Sequence, residues 1–196
     1  MTYSMKPLSC DAKKLKGLSE KLIVSHYENN YGGAVKRLNA IAAQLASLDF
    51  VTAPVFVING LKREELIATN SMILHELYFD GLGAEGEPDK ALREILIKDF
   101  GSVERWRSEF VAMGKALGGG SGWVLLTYSH RDARLVNQWA ADHTCNLAGG
   151  IPILALDMYE HSYQMDYGAS AAAYVDAFMQ NIRWENVTRL YHEHAK

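Results

Sequence analysis

The chain has 196 residues, of which 48% are hydrophobic and 22% charged, with a formal net charge of -3. That is enough apolar material for a sizeable core, in one domain or two closely packed small ones. The slight negative charge, with no block of about five or six basic residues, argues against nucleic acid as a partner. Cys10 and Cys145 lie far apart and form no Cys-x-x-Cys spacing, so neither a disulfide framework nor a thiolate zinc site is suggested. The first 22 residues lack an apolar run of signal-peptide length, and no later segment reaches the ~18 apolar residues that span a membrane. A cytoplasmic protein without a membrane partner is the expectation.

Gly17 and Leu18 lead into Ser19, which reads as a helix N-cap. In the helix that follows, His26 lies four and three residues beyond Leu22 and Ile23, so it shares their apolar stripe and faces the core. Residues 29–33 interrupt the pattern, and Val35, Leu38, Ile41, Ala42 and Leu45 resume it, which predicts a bend or a bulged helix between two helical arms. Residues 48–60 read as a connection with Pro54 and Gly60 as breakers, and a new helix is expected near Lys62. In that helix Ala68, Met72, His75, Tyr78, Phe79 and Leu82 recur at three- and four-residue steps, which makes His75 a second core-facing histidine. Gly81, Gly83, Gly86 and Pro88 end the helix and mark the best domain boundary, giving a helical hairpin over 1–86 and a mixed domain over 87–196.

The second part opens with helical patterns over 90–100 and 103–117, stopped by a glycine-rich stretch at 118–122. That stretch precedes a strand and has no Lys-Ser or Lys-Thr pair, so it is not a phosphate loop. Apolar runs at 123–128, 134–140 and 151–156 predict three strands, the first two forming an antiparallel hairpin across a polar turn at 129–133. Residues 166–196 return to helix, with Tyr174, Phe178 and Ile182 at four-residue steps.

The third strand runs straight into Asp157, with His161 four residues on. If the chain turns helical there, Asp157 caps the new helix and His161 lies on the same face. With His26 and His75 this makes three imidazoles and one carboxylate directed inward from rigid elements. Such a nitrogen-rich set suits iron, manganese or zinc. Zinc prefers four ligands and would be closed by them, whereas iron or manganese takes five or six and keeps a position for solvent or substrate.

The run Asp-Met-Tyr-Glu-His-Ser-Tyr at 157–163 resembles the Asp-Val-Trp-Glu-His-Ala-Tyr signature of the iron/manganese superoxide dismutases. Residues 120–123, 182–188, 75–79 and 35–39 are similar to further motifs of that family, in the family's order and over nearly the whole chain. The resemblance implies an α+β fold: an N-terminal α-helical hairpin, then a C-terminal domain with a three-stranded antiparallel sheet, and one metal between them. It implies His26, His75, Asp157 and His161 as metal ligands. Glu160 would bridge to the metal-binding histidine of a second subunit, in a homodimer or homotetramer. The substrate would be superoxide, dismutated to dioxygen and hydrogen peroxide by redox cycling of the metal.

The departures from the family pattern are informative. Its gateway tyrosine aligns with Ala34, which leaves two readings: Tyr31, about one helical turn earlier, reaches the same funnel, or Ala34 simply leaves the gate open. The glutamine that bonds metal-bound solvent is absent from its iron-type position, where Ser71 stands four residues before His75, and near 141–143 only His143 is able to replace it, the other reading of His143 being a solvated loop histidine. Trp123, Tyr78 and Tyr163 are either aromatic walls of the pocket or core packing. His143, together with Ala155 in place of a glycine of manganese-type members, favours iron over manganese. The alternatives on the same ligands are a mononuclear metal hydrolase or oxygenase, and a non-catalytic metal-binding protein of the same fold. An oxygenase more typically uses two histidines and one carboxylate.

Overall fold

The computed structural model describes residues 2–83 and 86–195. An extended N-terminal segment with a single 3-10 turn at Ala12–Lys14 leads to α1 (Glu20–Ser25). Ser19 is its N-cap, accepting the Leu22 N–H at 3.1 Å, and Ser19 is itself anchored by donating its hydroxyl to Asp166 at 2.7 Å. The helix then widens to a π-helical stretch, His26–Tyr31, before continuing as α2 (Gly32–Ser47). The interruption read at 29–33 is therefore a bulge within one rod. A π segment of this kind shifts the helix phase and frequently marks a functional site.

The return arm, α3 (Val55–Asp80), is longer than expected. Pro54 does not break it but immediately precedes it, at a helix end where a missing N–H costs nothing, and its carbonyl accepts from Val57 and Ile58. Gly60 lies inside the helix, where it costs roughly 1 kcal/mol relative to alanine and does not terminate the element. Asp49 closes the connecting turn by accepting from Val51 N and Thr52 Oγ1. The two arms pack along each other as a helical hairpin. Helix α3 ends at Asp80, and residues 84 and 85 of the expected boundary lie outside the described residues.

Helices α4 (Lys90–Phe100) and α5 (Val103–Ala116) are capped by Asp89 and Ser102 and separated by Gly101, whose φ of 91° is left-handed. Strands β1 (Trp123–Ser129), β2 (Arg134–Ala140) and β3 (Gly150–Asp157) form one antiparallel sheet in the order β2-β1-β3. All seven residues of the central strand are buried, so both of its faces are covered. A 3-10 turn, Glu160–Ser162, follows β3. The C-terminal helix expected over 166–196 is three helices: α6 (Gln164–Tyr167), α7 (Ala171–Phe178) and α8 (Trp184–His194). Gly168, at φ 53°, makes the first break.

The second break follows from backbone pairing elsewhere. Ile182 bridges Leu82, Gly83 N–H donates to Asn181 O, and Arg183 N–H donates to Gly81 O, so this segment spends its hydrogen bonds on the end of α3. Asn181 adds side-chain bonds to Lys16 and Ala177. Helix and sheet halves share one buried apolar cluster, which runs from Leu22 and Tyr78 through Trp123 and Leu154 to Phe178. Removing that cluster from water, at about 25 cal/mol per Å² of apolar surface, is what holds the hairpin against the sheet.

Candidate metal centre

The four side chains singled out in the sequence converge. One ligand-competent atom from each of His26, His75, Asp157 and His161 lies within 4.8 Å of every other. Asp157 Oδ2 is the hub, at 3.2 Å from His26 Nε2, 3.6 Å from His75 Nε2 and 3.3 Å from His161 Nε2. His26, His75 and Asp157 are buried, and only His161, with 27% of its side chain exposed, reaches the surface. Each arrives from a different element: the π bulge, the C-terminal part of α3, the last residue of β3, and the 3-10 turn. Asp157 is not a helix cap, because the next turn begins after Tyr159; its Oδ1 accepts the Tyr159 N–H at 2.8 Å, which holds the carboxylate toward the histidines.

The protonation states fit cation binding. Burial, reinforced by repulsion from His26, lowers the pKa of His75 to about 3, and burial also lowers that of His26, so both rings are neutral. His75 donates Nδ1–H to the Ser71 carbonyl at 2.6 Å, which leaves the lone pair on Nε2 pointing at the hub. Burial alone would raise the Asp157 carboxyl, but the pull of His161 and the contacts with His161 and His26 hold it well below the usual carboxylate range. Among the described residues, neither ring nitrogen of His26 nor Nε2 of His75 has a hydrogen-bond partner. A buried polar atom left without a partner costs about 1–3 kcal/mol, and a cation at the hub would account for the two Nε2 atoms. Three imidazoles and one carboxylate match the donor preferences of iron, manganese or zinc.

Around this set lies an aromatic shell. The ring of Tyr78 sits 5.0 Å from that of His26, and the ring of Trp123 sits 5.4 Å from that of His75 in an edge contact. Tyr163 does neither: it stacks on Tyr174 at 5.3 Å and serves as core packing. His143 is drawn in, its ring 6.1 Å from that of His75. The Trp123 indole N–H donates to His143 Nδ1 at 3.0 Å, so the neutral ring carries its proton on Nε2 and is a donor there. Burial lowers the pKa of His143 and keeps it in that neutral form.

Sequence reasoning missed several supports. Asn70, on α3 one residue before Ser71, donates to the His143 carbonyl at 2.6 Å and ties its loop to the hairpin. Tyr159 is stacked between His143 at 4.8 Å and His161 at 5.4 Å. Tyr174 and Ser162 both donate to the Asp157 carbonyl at 2.8 Å. None of these carries a sequence signal beyond being polar or aromatic near a ligand. Tyr31 is also buried, its ring roughly parallel to His75 at 6.4 Å, with burial raising its hydroxyl pKa to about 12. Glu160 is exposed on the chain surface beside His161.

Comparison with known proteins agrees with this geometry. Residues 88–190 match the family described as iron/manganese superoxide dismutases, C-terminal domain. The chain belongs to the iron/manganese superoxide dismutase family. An iron superoxide dismutase of Cupriavidus metallidurans is 77% identical over 185 residues, covering 94% of each chain. An iron superoxide dismutase of Aquifex pyrophilus is 34% identical, covering 94% of this chain and 89% of its own. A manganese superoxide dismutase of Haloferax volcanii is also 34% identical, covering 98% and 97%. Iron- and manganese-named members of this dismutase family are thus similar to the chain over almost its full length.

Proposed function

We infer that the protein is a superoxide dismutase that uses iron, with manganese as the alternative metal, held by His26, His75, Asp157 and His161. The observation that carries the reading is the convergence of three imidazoles and one carboxylate within 4.8 Å, with the Nε2 atoms of His26 and His75 otherwise unpartnered. A bound iron or manganese supplies one-electron exchange, taking one superoxide to dioxygen and reducing a second to peroxide. The residues of this chain set the conditions for that exchange. Asp157 would contribute one fixed negative charge, and an imidazole that binds a metal through its ring lone pair adds none, so a cation would be held without being neutralised. Peroxide needs two protons, and we propose that His143, which accepts from Trp123 at Nδ1 and so carries its proton on Nε2, bonds solvent in the site and sets its protonation. Tyr31 is proposed to wall the funnel beside His75 with its ring, on the side that Ala34 leaves open.

We place the metal between a helical hairpin domain, 1–86, and an α+β domain, 87–196. Glu160, exposed beside His161, is proposed to reach the partner subunit's His161 in a homodimer or homotetramer. A carboxylate bonded to a ligating histidine fixes its orientation and raises its basicity. No helix among the described residues is long and apolar enough to cross a membrane, and an antioxidant role in the cytoplasm is the proposed setting.

The deciding experiment is metal analysis of natively expressed protein, paired with superoxide-consuming activity after reconstitution with iron and with manganese. Activity with either metal, abolished by chelation, is the expected result. Bound metal without activity on superoxide would favour a structural metal, and turnover of an ester or organic oxygenation substrate in its place would favour a hydrolase or oxygenase.

A further inference from the structure

A second polar knot lies beside His75 and uses residues that the metal set leaves out. The Tyr31 hydroxyl accepts the backbone N–H of Lys6 at 2.8 Å and donates to Glu76 Oε1 at 3.0 Å. The Lys6 ammonium pairs with the other oxygen of the same carboxylate. The Tyr27 hydroxyl donates to the Lys6 carbonyl at 2.6 Å, and Asn39 exchanges two bonds with the backbone of Tyr3, so the extended N-terminal segment is strapped across the π bulge. The Glu76 side chain is only 14% exposed, whereas that of Lys6 is 64% exposed. The knot thus joins three elements: the N-terminal segment, the bulge that carries His26, and the helix that carries His75.

Two consequences follow from the chemistry of these groups. A phenol has one proton, and that of Tyr31 is committed to Glu76, so toward the metal set Tyr31 offers only its ring face and an oxygen lone pair. Glu76 also directly follows His75, so an unpaired carboxylate there would place a largely desolvated negative charge beside a site that must admit an anion. Like charges in such surroundings repel far more strongly than in water. The Lys6 ammonium cancels that charge where it arises.

We propose that Lys6 and Glu76 form a charge-neutral clamp that holds Tyr31 against His75 and keeps the site open to an anionic substrate. The proposal rests on the dismutase reading above, and both are positioning residues that act through Tyr31 and through the local field.

The test uses the iron-loaded full chain and azide as the anion, followed by its visible absorption on binding. Lys6→Met should weaken azide binding by about tenfold at low salt, and the deficit should shrink as salt is raised. Removing the stranded charge in the double variant Lys6→Met/Glu76→Gln should restore affinity to within about twofold of wild type, and Lys6→Arg should match wild type. Hydrogen exchange reads the clamp without the metal: protection of the Lys6 amide should fall at least about tenfold in Glu76→Ala and persist in Glu76→Gln, which keeps an acceptor. Wild-type affinity in Lys6→Met, a double variant as weak as the single, or unchanged Lys6 protection in Glu76→Ala would overturn the proposal. If wild-type protein takes up neither iron nor manganese, the dismutase reading itself fails and takes the proposal with it.

Discussion

Trp123 and Asp157 are directly opposite one another as the terminal pair of the β1–β3 ladder, so both side chains leave the sheet on the same face. One pairing therefore sets two parts of the site, since Asp157 is the hub of the ligand set and Trp123 holds His143. The register at this end is guarded by Gly122, whose φ is 135° and whose carbonyl accepts from Met158 N at 2.9 Å. A Cβ there would sit 2.2 Å from the Ala140 carbonyl oxygen, a backbone atom with no freedom to swing away.

Gly122→Ala is accordingly expected to destabilise the fold by roughly 2–4 kcal/mol, because it adds both a left-handed strain and a backbone clash. The same change should lower metal content, since Trp123 and Asp157 move together. Urea unfolding monitored by tryptophan fluorescence, alongside metal analysis, checks this; a stability within about 0.5 kcal/mol of wild type would refute it.

His75→Ala should lose most bound metal while keeping most helical signal. The C-terminal half of helix α3 is held by buried apolar residues such as Ala68, Met72 and Phe79 as well as by any metal, whereas the site loses one of its four candidate ligands. Metal content and far-ultraviolet circular dichroism of the purified variant decide the matter. A variant with a full metal complement would remove His75 from the ligand set.

His143→Gln should change the ratio of activities of the iron- and manganese-loaded forms more than it changes folding stability. His143 presents an Nε2–H donor, and the strength of a donor to solvent in the site shifts that solvent between its two protonation states. The two metals need that balance set differently. Activity per bound metal for both forms, before and after substitution, is the measurement, and an unaltered ratio would place His143 outside the chemistry. A wild-type protein active only with manganese would refute the preference for iron.

Glu160→Ala should weaken subunit association and metal retention together. Glu160 is exposed in the single chain, so truncating it should have little effect on the fold of one subunit. Sedimentation at micromolar and nanomolar concentrations, with metal analysis at each, tests the bridge. A variant that stays associated at low concentration, with metal and activity intact, would show that no such bridge exists.

How much of this was legible in the chain depends on whether each feature is local. The stripe that places His26 after Leu22 and Ile23, the stripe that places His75 among Met72, Tyr78 and Phe79, the Ser19 cap and the three strands are all read from spacings of one to four residues, and these the sequence determined by itself. The motif at 157–163 added the family, and with it the four-residue set that the fold brings together. Features set by partners distant in the chain were not legible. Pro54 and Gly60 look like breakers until the helix around them is seen, and the break at 180–183 exists because that backbone pairs with the end of α3, about a hundred residues earlier. The tautomer of His143 depends on Trp123, the lone pair of His75 on the Ser71 carbonyl, and the proton of Tyr31 on Glu76. Hydrogen-bond direction between side chains is a property of three-dimensional proximity. Periodicity can say that a histidine faces inward, but only the tertiary structure decides which of its nitrogens is free to bind.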